Sequence, residues 1–171
     1  GAERKRKILL ALGTDKDIAT LRETTVAPAR HEDRDVSTVV FVLHGIRDMG
    51  EWTSMFEAPL VAAFRRTHPG AEKIYVHRAG YDYFGMGPFL LWADRQRNVR
   101  WFMDQVTELT SKFPNLKAMH FIGHSNGTYV LASALEKYQT LKVANVVFAG
   151  SVVPRNYDWG RYVGRVGNIR N

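Results

Sequence analysis

The chain has 171 residues and a formal net charge of +7. The length suits one domain with its own core, and the basic excess lies near the two ends rather than along one stretch, so we expect no nucleic-acid partner. With 45% hydrophobic residues, 24% charged residues and no cysteine, the composition excludes disordered, fibrous and disulfide-dependent classes, and it fits a reducing compartment, for which we predict the cytoplasm.

We expect residues 1–35 to form an N-terminal segment, with a strand or a hairpin as the alternatives, and residues 36–171 to form the core. Ser37–Leu43 is a β-branched apolar run and predicts a buried strand. Trp52–Thr67 then predicts a helix that ends before Pro69. Its expected core side consists of Met55, Pro59, Leu60, Ala63 and Phe64. Lys73–His77 predicts a second strand.

The second half of the chain continues this alternation. Tyr81–Arg97 is aromatic, rich in glycine and irregular, and apolar residues at helical spacing follow it up to Pro114. They are Val99, Phe102, Met103, Val106, Leu109 and Phe113. The remaining predicted elements are a strand at Ala118–Ile122, a helix at Gly127–Tyr138, a strand at Val143–Ala149 and the start of another at Val166–Ile169.

Strands that alternate with helices indicate an α/β fold with a doubly wound, mostly parallel sheet and helices on both of its faces. Ligands of such sheets bind beyond the carboxyl ends of the strands. We therefore expect the functional residues in the turns that follow the predicted strands.

One such turn holds a G-x-S-x-G pentapeptide, Gly123-His124-Ser125-Asn126-Gly127. It lies between a predicted strand and a predicted helix, the setting that a nucleophile elbow requires. Glycines two positions before and after the serine allow the strand and the helix to approach closely. The serine hydroxyl would then stand at a helix N-terminus, which favours developing negative charge. The alternative is a glycine-rich turn that simply leads into a helix.

A second turn supports the functional interpretation. The first predicted strand ends at His44-Gly45-Ile46. Acyl transfer requires a second N–H donor facing the oxyanion, which usually comes from the loop after an earlier strand. A glycine there allows the loop to lie close to a substrate. The alternative is an ordinary turn between a strand and a helix.

Together these two motifs resemble the α/β-hydrolase family, in particular its lipases and serine esterases, over about residues 36–153. The resemblance implies that Ser125 is the nucleophile and that the main-chain N–H groups of Asn126 and Ile46 form the oxyanion hole. It implies that His44, with Gly45, braces the oxyanion loop, and that His124 is a structural or pocket residue.

The chain departs from the family at the other two triad members. The family order is Ser, then Asp or Glu, then His, but no histidine follows Ser125. Asp158 is the one aspartate that follows Ser125 in the sequence. It is either an early triad acid or a solvated loop carboxylate. By the resemblance, the family's acid and histidine follow its last two strands. We therefore expect a hydrolase core that is incomplete at its C-terminus, with a naturally short non-catalytic hydrolase as the alternative.

The expected function is hydrolysis of carboxylic esters through a Ser125 acyl-enzyme. We expect this activity to be weak or absent in the isolated chain. The alternative is a non-catalytic module that binds a protein or a lipid. Residues 78–101 are either a lid over lipid-like substrates or a crossover helix packed on the sheet. We expect no metal and no cofactor. Expected partners are an acyl-ester small molecule or lipid, a membrane surface, and a segment, chain or second copy that completes the sheet.

Overall fold

The computed structural model describes residues 31–45, 51–79 and 92–171. Its strands are β1 (Val36–Leu43), β2 (Lys73–Ala79), β3 (Ala118–His124), β4 (Val143–Ala149) and β5 (Val166–Arg170). Its α-helices are α1 (Glu57–Thr67), α2 (Trp92–Lys112) and α3 (Asn126–Lys137). Short 3-10 helices cover His31–Asp35, Glu51–Phe56 and Trp159–Tyr162. Residues 1–30, most of the expected N-terminal segment, lie outside the described part.

The described strands form one five-stranded sheet in the order β2-β1-β3-β4-β5, and every pairing is parallel. This confirms the α/β fold class predicted from the alternation of elements. The chain winds outward from β1 in both directions, so the order reverses between β1 and β3. At this switch point Leu43, the last residue of β1, is in register with Gly123 of β3. Crevices at such points are the usual ligand sites of open α/β sheets.

The two faces of β1 belong to different cores, because successive side chains of a strand point to opposite sides. Val39, Phe41 and Leu43 join a large cluster with α2 and α3. Val40 and Val42 join a smaller cluster on the other face, which includes Leu60 of α1. All eight residues of β1 are buried, which explains the unbroken apolar run Val39–Leu43 in its sequence.

The α1 face of the sheet becomes polar and exposed toward β5. His120, Asn145 and Asn168 lie in register on β3, β4 and β5. The Asn145 amide donates to His120 Nδ1 and the Asn168 amide donates to Asn145 Oδ1, each at 2.9 Å. Val147 on the same face is 43% exposed. Within the described residues β5 pairs with β4 alone, so this side of the sheet ends in an open edge.

Three details differ from the sequence-based expectations. Trp52–Thr67 is not one helix, since a 3-10 helix precedes α1, and Met55 is 74% exposed rather than part of the core. Pro59 is exposed as well, whereas Phe64 is buried as expected. The segment expected to be irregular up to Arg97 becomes helical at Trp92, where α2 begins.

The aromatic segment 78–101 is described at its two ends. Arg78 and Ala79 complete β2, and residues 92–101 form the first part of α2. Residues 80–91, on which the lid interpretation depends, lie outside the described part. In the regions that the structure describes, no helix has the length and apolar character needed to cross a bilayer.

Candidate active site

The main chain of Ser125 adopts an unusual conformation directly after β3. Its φ of 50° and ψ of −116° make it the one non-glycine residue of the described chain with a positive φ. A serine that simply caps a helix has extended backbone angles and accepts a hydrogen bond from the first turn. Ser125 does neither, since its side chain makes no capping bond to α3. The turn is therefore strained, and the strain leaves the hydroxyl unused by the helix.

The flanking glycines explain why this turn fits beneath its neighbours. A Cβ atom on Gly123 would lie 2.5 Å from the Phe121 ring, and one on Gly127 would lie 2.7 Å from the main-chain oxygen of Leu43. Real Cβ atoms do not approach other atoms so closely. Glycine at position 127 thus allows α3 to start directly against β1, and glycine at position 123 leaves room for the Phe121 ring and for the start of α3.

Main-chain contacts hold Ser125 at both of its ends. Its N–H donates to the carbonyl oxygen of Ala149, the last residue of β4, at 3.0 Å. Its own carbonyl accepts from the Thr128 N–H at 3.0 Å and from the Thr128 hydroxyl at 2.7 Å. Because the Ser125 N–H is bound to β4, the first residues of α3 are left to supply main-chain donors at the helix N-terminus.

The loop after β1 lies against the same serine. His44 is 3% exposed, and its Nδ1 lies 2.7 Å from the Gly45 carbonyl oxygen. A carbonyl can only accept, so Nδ1 carries the proton in this bond, and the histidine fixes the plane of the peptide group that contains the Gly45 carbonyl. A Cβ atom on Gly45 would lie 3.3 Å from Ser125 Oγ. Ile46, the expected second oxyanion donor, lies outside the described residues.

His124 forms part of the wall beside the serine. Its ring meets the Trp52 ring edge to face, with centroids 5.8 Å apart. Its Nδ1 would lie 3.3 Å from a Cβ on Gly45, and its Nε2 would lie 3.7 Å from a Cβ on Gly150. Small glycine surfaces on both sides leave room for this ring between the loops that follow β1 and β4.

Within the described residues, the hydroxyl of Ser125 forms no hydrogen bond with a histidine ring. His77 lies within β2, where its Nε2 contacts Gln105 Oε1 at 3.2 Å. His120 lies within β3, where it contacts Asn145. Burial lowers the pKa of both imidazoles, and Gln105 opposes this effect at His77. Both rings are engaged away from the carboxyl edge.

Asp158, the candidate triad acid, caps a 3-10 helix. Its Oδ1 accepts from the Gly160 N–H at 3.0 Å, and the residue is exposed. The adjacent Tyr157 hydroxyl donates to the Ala132 carbonyl of α3 at 3.1 Å. Ala132 lies two helical turns beyond the serine, so this part of the loop runs along α3, roughly 10 Å from the elbow.

Two further residues belong to the site and were not predicted from the sequence. Thr128, which is fully buried, ties the elbow to the loop after β4, and Trp52 covers His124. A threonine three positions after the serine, in a helix with few charges, was the available signal for the first. Nothing local marks Trp52, because its contact depends on how the segment after β1 returns over the sheet.

A cavity of about 560 Å³ opens at the opposite, amino-terminal edge of the sheet. Ser37, Glu72 and Lys117 line it, and Glu72 accepts hydrogen bonds from the other two. We place the site at the carboxyl edge instead, because open parallel sheets bind ligands there. Among the described side chains, no group of three or more His, Asp or Glu residues is arranged to hold a metal ion.

No family model matches the chain, and no curated protein matches it.

Proposed function

We propose that this chain is the core of an α/β-hydrolase-type serine hydrolase that acts on carboxylic esters through Ser125. The observation that carries the proposal is the Ser125 backbone, with φ 50° and ψ −116°, at the switch point of a parallel sheet. A strained serine between a strand and a helix is the defining feature of a nucleophile elbow. Strain of this kind persists where the surrounding structure holds it and the site uses it.

The proposed reaction has two steps. Ser125 Oγ attacks the ester carbonyl while a base takes its proton, and the tetrahedral intermediate releases the alcohol, which receives that proton. Water then attacks the acyl-enzyme while the base takes its proton, the carboxylic acid leaves, and the serine oxygen receives that proton. The N–H groups of Asn126 and Ile46 bind the negative oxygen in both steps, supported by the positive end of the α3 dipole. His44 holds the loop that carries Gly45, and His124 lines the pocket.

The base comes from outside the described residues in this proposal. A serine hydroxyl is a poor nucleophile without one. An oxyanion hole without a base retains about 10³–10⁴-fold catalysis over water in triad knock-outs. We therefore propose that the isolated chain is a weak hydrolase and that a further segment or a partner chain supplies the histidine and the acid, with Asp158 as the internal candidate for the acid.

The open edge of β5 is where such a segment would join. An unpaired parallel strand presents main-chain donors and acceptors to another strand. We propose that a further segment, a partner chain or a second copy completes the sheet there. We propose an acyl-ester small molecule or a lipid as the substrate, and a membrane surface as one source of the lipid. The proposed compartment is the cytoplasm.

A non-catalytic binding module is the second candidate. It is favoured by one observation, the absence of a hydrogen bond between Ser125 Oγ and any described histidine ring. In such a module the elbow would remain as a structural turn. The two candidates differ in whether Ser125 can be acylated or phosphonylated once a base is provided.

A labelling experiment separates them. The purified chain is treated with a fluorophosphonate, with and without imidazole as a small-molecule base, and digested with trypsin. Cleavage after Lys117 and Lys137 yields the peptide that contains Ser125, so tandem mass spectrometry locates the adduct. We expect slow labelling of Ser125 that imidazole accelerates, loss of the adduct in Ser125→Ala, and no change in Ser111→Ala on the exposed face of α2. Absence of a Ser125 adduct under both conditions overturns the hydrolase proposal.

A further inference from the structure

The most buried polar side chain beside the elbow has no part in the chemistry described so far. Thr128 is fully buried in the first turn of α3. Its hydroxyl donates to the Ser125 carbonyl at 2.7 Å. Having donated its one hydrogen there, it accepts from the Val152 N–H at 3.1 Å and from the Ser151 hydroxyl at 3.4 Å. One hydroxyl therefore joins the strained serine to the loop after β4.

The Ser125 carbonyl belongs to the same peptide group as the Asn126 N–H. That group is planar, and the described chain contains no cis peptide bond. The N–H therefore points opposite to the carbonyl, and whatever fixes the direction of the carbonyl also fixes the direction of the N–H. Thr128 binds this carbonyl twice, through its main-chain N–H and through its hydroxyl.

We propose that Thr128 is a positioning residue whose hydroxyl aims the Asn126 N–H at the developing oxyanion and couples this direction to the loop 151–153. The inference rests on the proposed hydrolase function for the role of Asn126. Thr128 touches neither the substrate nor the reacting atoms, and it acts through the peptide group between Ser125 and Asn126. Ser151 supports it from the loop, since its hydroxyl also accepts from the Val153 N–H at 3.2 Å.

Three variants test this role. Thr128→Val keeps the shape of the side chain and removes the hydroxyl, whereas Thr128→Ser keeps the hydroxyl and removes a methyl group. Thr110→Val is the matched control, because the Thr110 hydroxyl donates to the Val106 carbonyl within α2 at 2.8 Å and the residue is exposed. Fluorophosphonate labelling of Ser125 in imidazole gives a limiting rate and a half-saturating probe concentration for each.

We expect Thr128→Val to lower the limiting labelling rate about tenfold or more and to leave the half-saturating probe concentration unchanged. The reason is that one buried hydrogen bond that stabilises the transition state is lost. We expect Thr128→Ser to label within about threefold of the original chain and Thr110→Val to match it. Labelling of Thr128→Val at the original rate, or equal losses in the valine and serine variants, overturns the proposal.

A second measurement does not depend on reactivity. Amide hydrogen exchange at Val152 should be slow in the original chain and in Thr128→Ser and faster in Thr128→Val. If the original chain does not label, the hydrolase proposal fails, while unchanged Val152 exchange in Thr128→Val rejects the coupling itself. Should the valine variant fail to fold, Ser151→Ala replaces it, with an expected two- to fivefold loss of labelling rate; an unchanged rate contradicts the proposal.

Discussion

Gly45 and Ser125 approach each other so closely that a Cβ atom added to Gly45 would lie 2.8 Å from Ser125 Cβ. The same atom would lie 3.3 Å from Ser125 Oγ and from His124 Nδ1. The loop after β1 is thus in contact with the proposed nucleophile through a residue that has no side chain. This contact brings together the two motifs that were predicted separately from the sequence.

The first prediction is that Gly45→Ala damages both folding and reactivity. The added methyl group must displace the serine or the loop, and overpacking of this kind lowers the free energy of unfolding by about 1–3 kcal/mol. Thermal unfolding and fluorophosphonate labelling measure the two effects. Gly70→Ala is the control, because a Cβ atom there meets nothing within 4 Å. A Gly45→Ala protein that labels and melts like the Gly70→Ala protein would contradict the contact.

The second prediction concerns Gly127, in the first turn of α3. Alanine favours helix over glycine by about 0.5–1 kcal/mol, so propensity alone predicts that Gly127→Ala is stabilising. A Cβ atom would lie 2.7 Å from the main-chain oxygen of Leu43, and main chain in the central strand cannot easily move. We expect the clash to dominate and the melting temperature to fall. A rise in melting temperature would mean that α3 has room to move away from β1.

Acid should destabilise the protein through two half-buried histidines. Burial lowers the pKa of His77 and His120 below the ordinary value of 6.5, so the unfolded chain binds these protons more readily than the folded one. Their stabilising contribution is complete above the unfolded pKa and is lost as the pH falls through the folded pKa. We expect His77→Gln and His120→Gln each to flatten the fall in melting temperature below about pH 6.5. An unchanged slope in the double variant would refute this assignment.

Alkali should act through Tyr157. Its hydroxyl donates to the Ala132 carbonyl and lies 2.8 Å from the Tyr162 hydroxyl. Burial raises its pKa above the ordinary value of 10.0, and Tyr162 and Glu136 add to this effect, so its contribution is present below pH 10 and is lost above it.

We expect Tyr157→Phe to lower the free energy of unfolding at neutral pH by about 1–2 kcal/mol and to weaken the loss of stability above pH 10. Tyr162→Phe, which spares the bond to Ala132, should have a smaller effect. Chemical denaturation at several pH values measures both. Equal sensitivity to alkali in Tyr157→Phe and the original chain would exclude Tyr157 as the group responsible.

The parts of the molecule that follow from local patterns were predictable from the sequence. The apolar run after Ser37 is a buried strand, and the strand at Val143–Ala149 has the bounds that were predicted. The glycines around Ser125 predicted a close approach of strand, helix and neighbouring strand. These features depend on residues adjacent in the chain, so one sequence contains the information.

The parts that depend on distant contacts were not predictable. Met55 has helical spacing with Pro59 and Ala63, yet it is exposed, because residues Glu51–Phe56 form a 3-10 helix whose turns do not continue the face of α1. The proposed role of Thr128 depends on the hydrogen bond that it accepts from the Val152 N–H. Val152 lies in a loop whose path depends on how β4 and α3 pack together. The hydrogen-bonded row of His120, Asn145 and Asn168 was not predictable either, because it depends on the register of three strands.

The hydrogen bonds that tie Ser125 to Ala149 and Thr128 to Val152 have a consequence for synthesis on the ribosome. Val152 lies 24 residues after Thr128, and ribosomes add roughly 5–20 residues per second. The turn at Ser125 therefore leaves the ribosome about one to five seconds before the loop that holds it. Until Ala149 and Val152 emerge, the hydrogen bonds that Ser125 and Thr128 make with them cannot form. We therefore expect the strained conformation to be completed late, after β1, β2 and β3 are already available to pair.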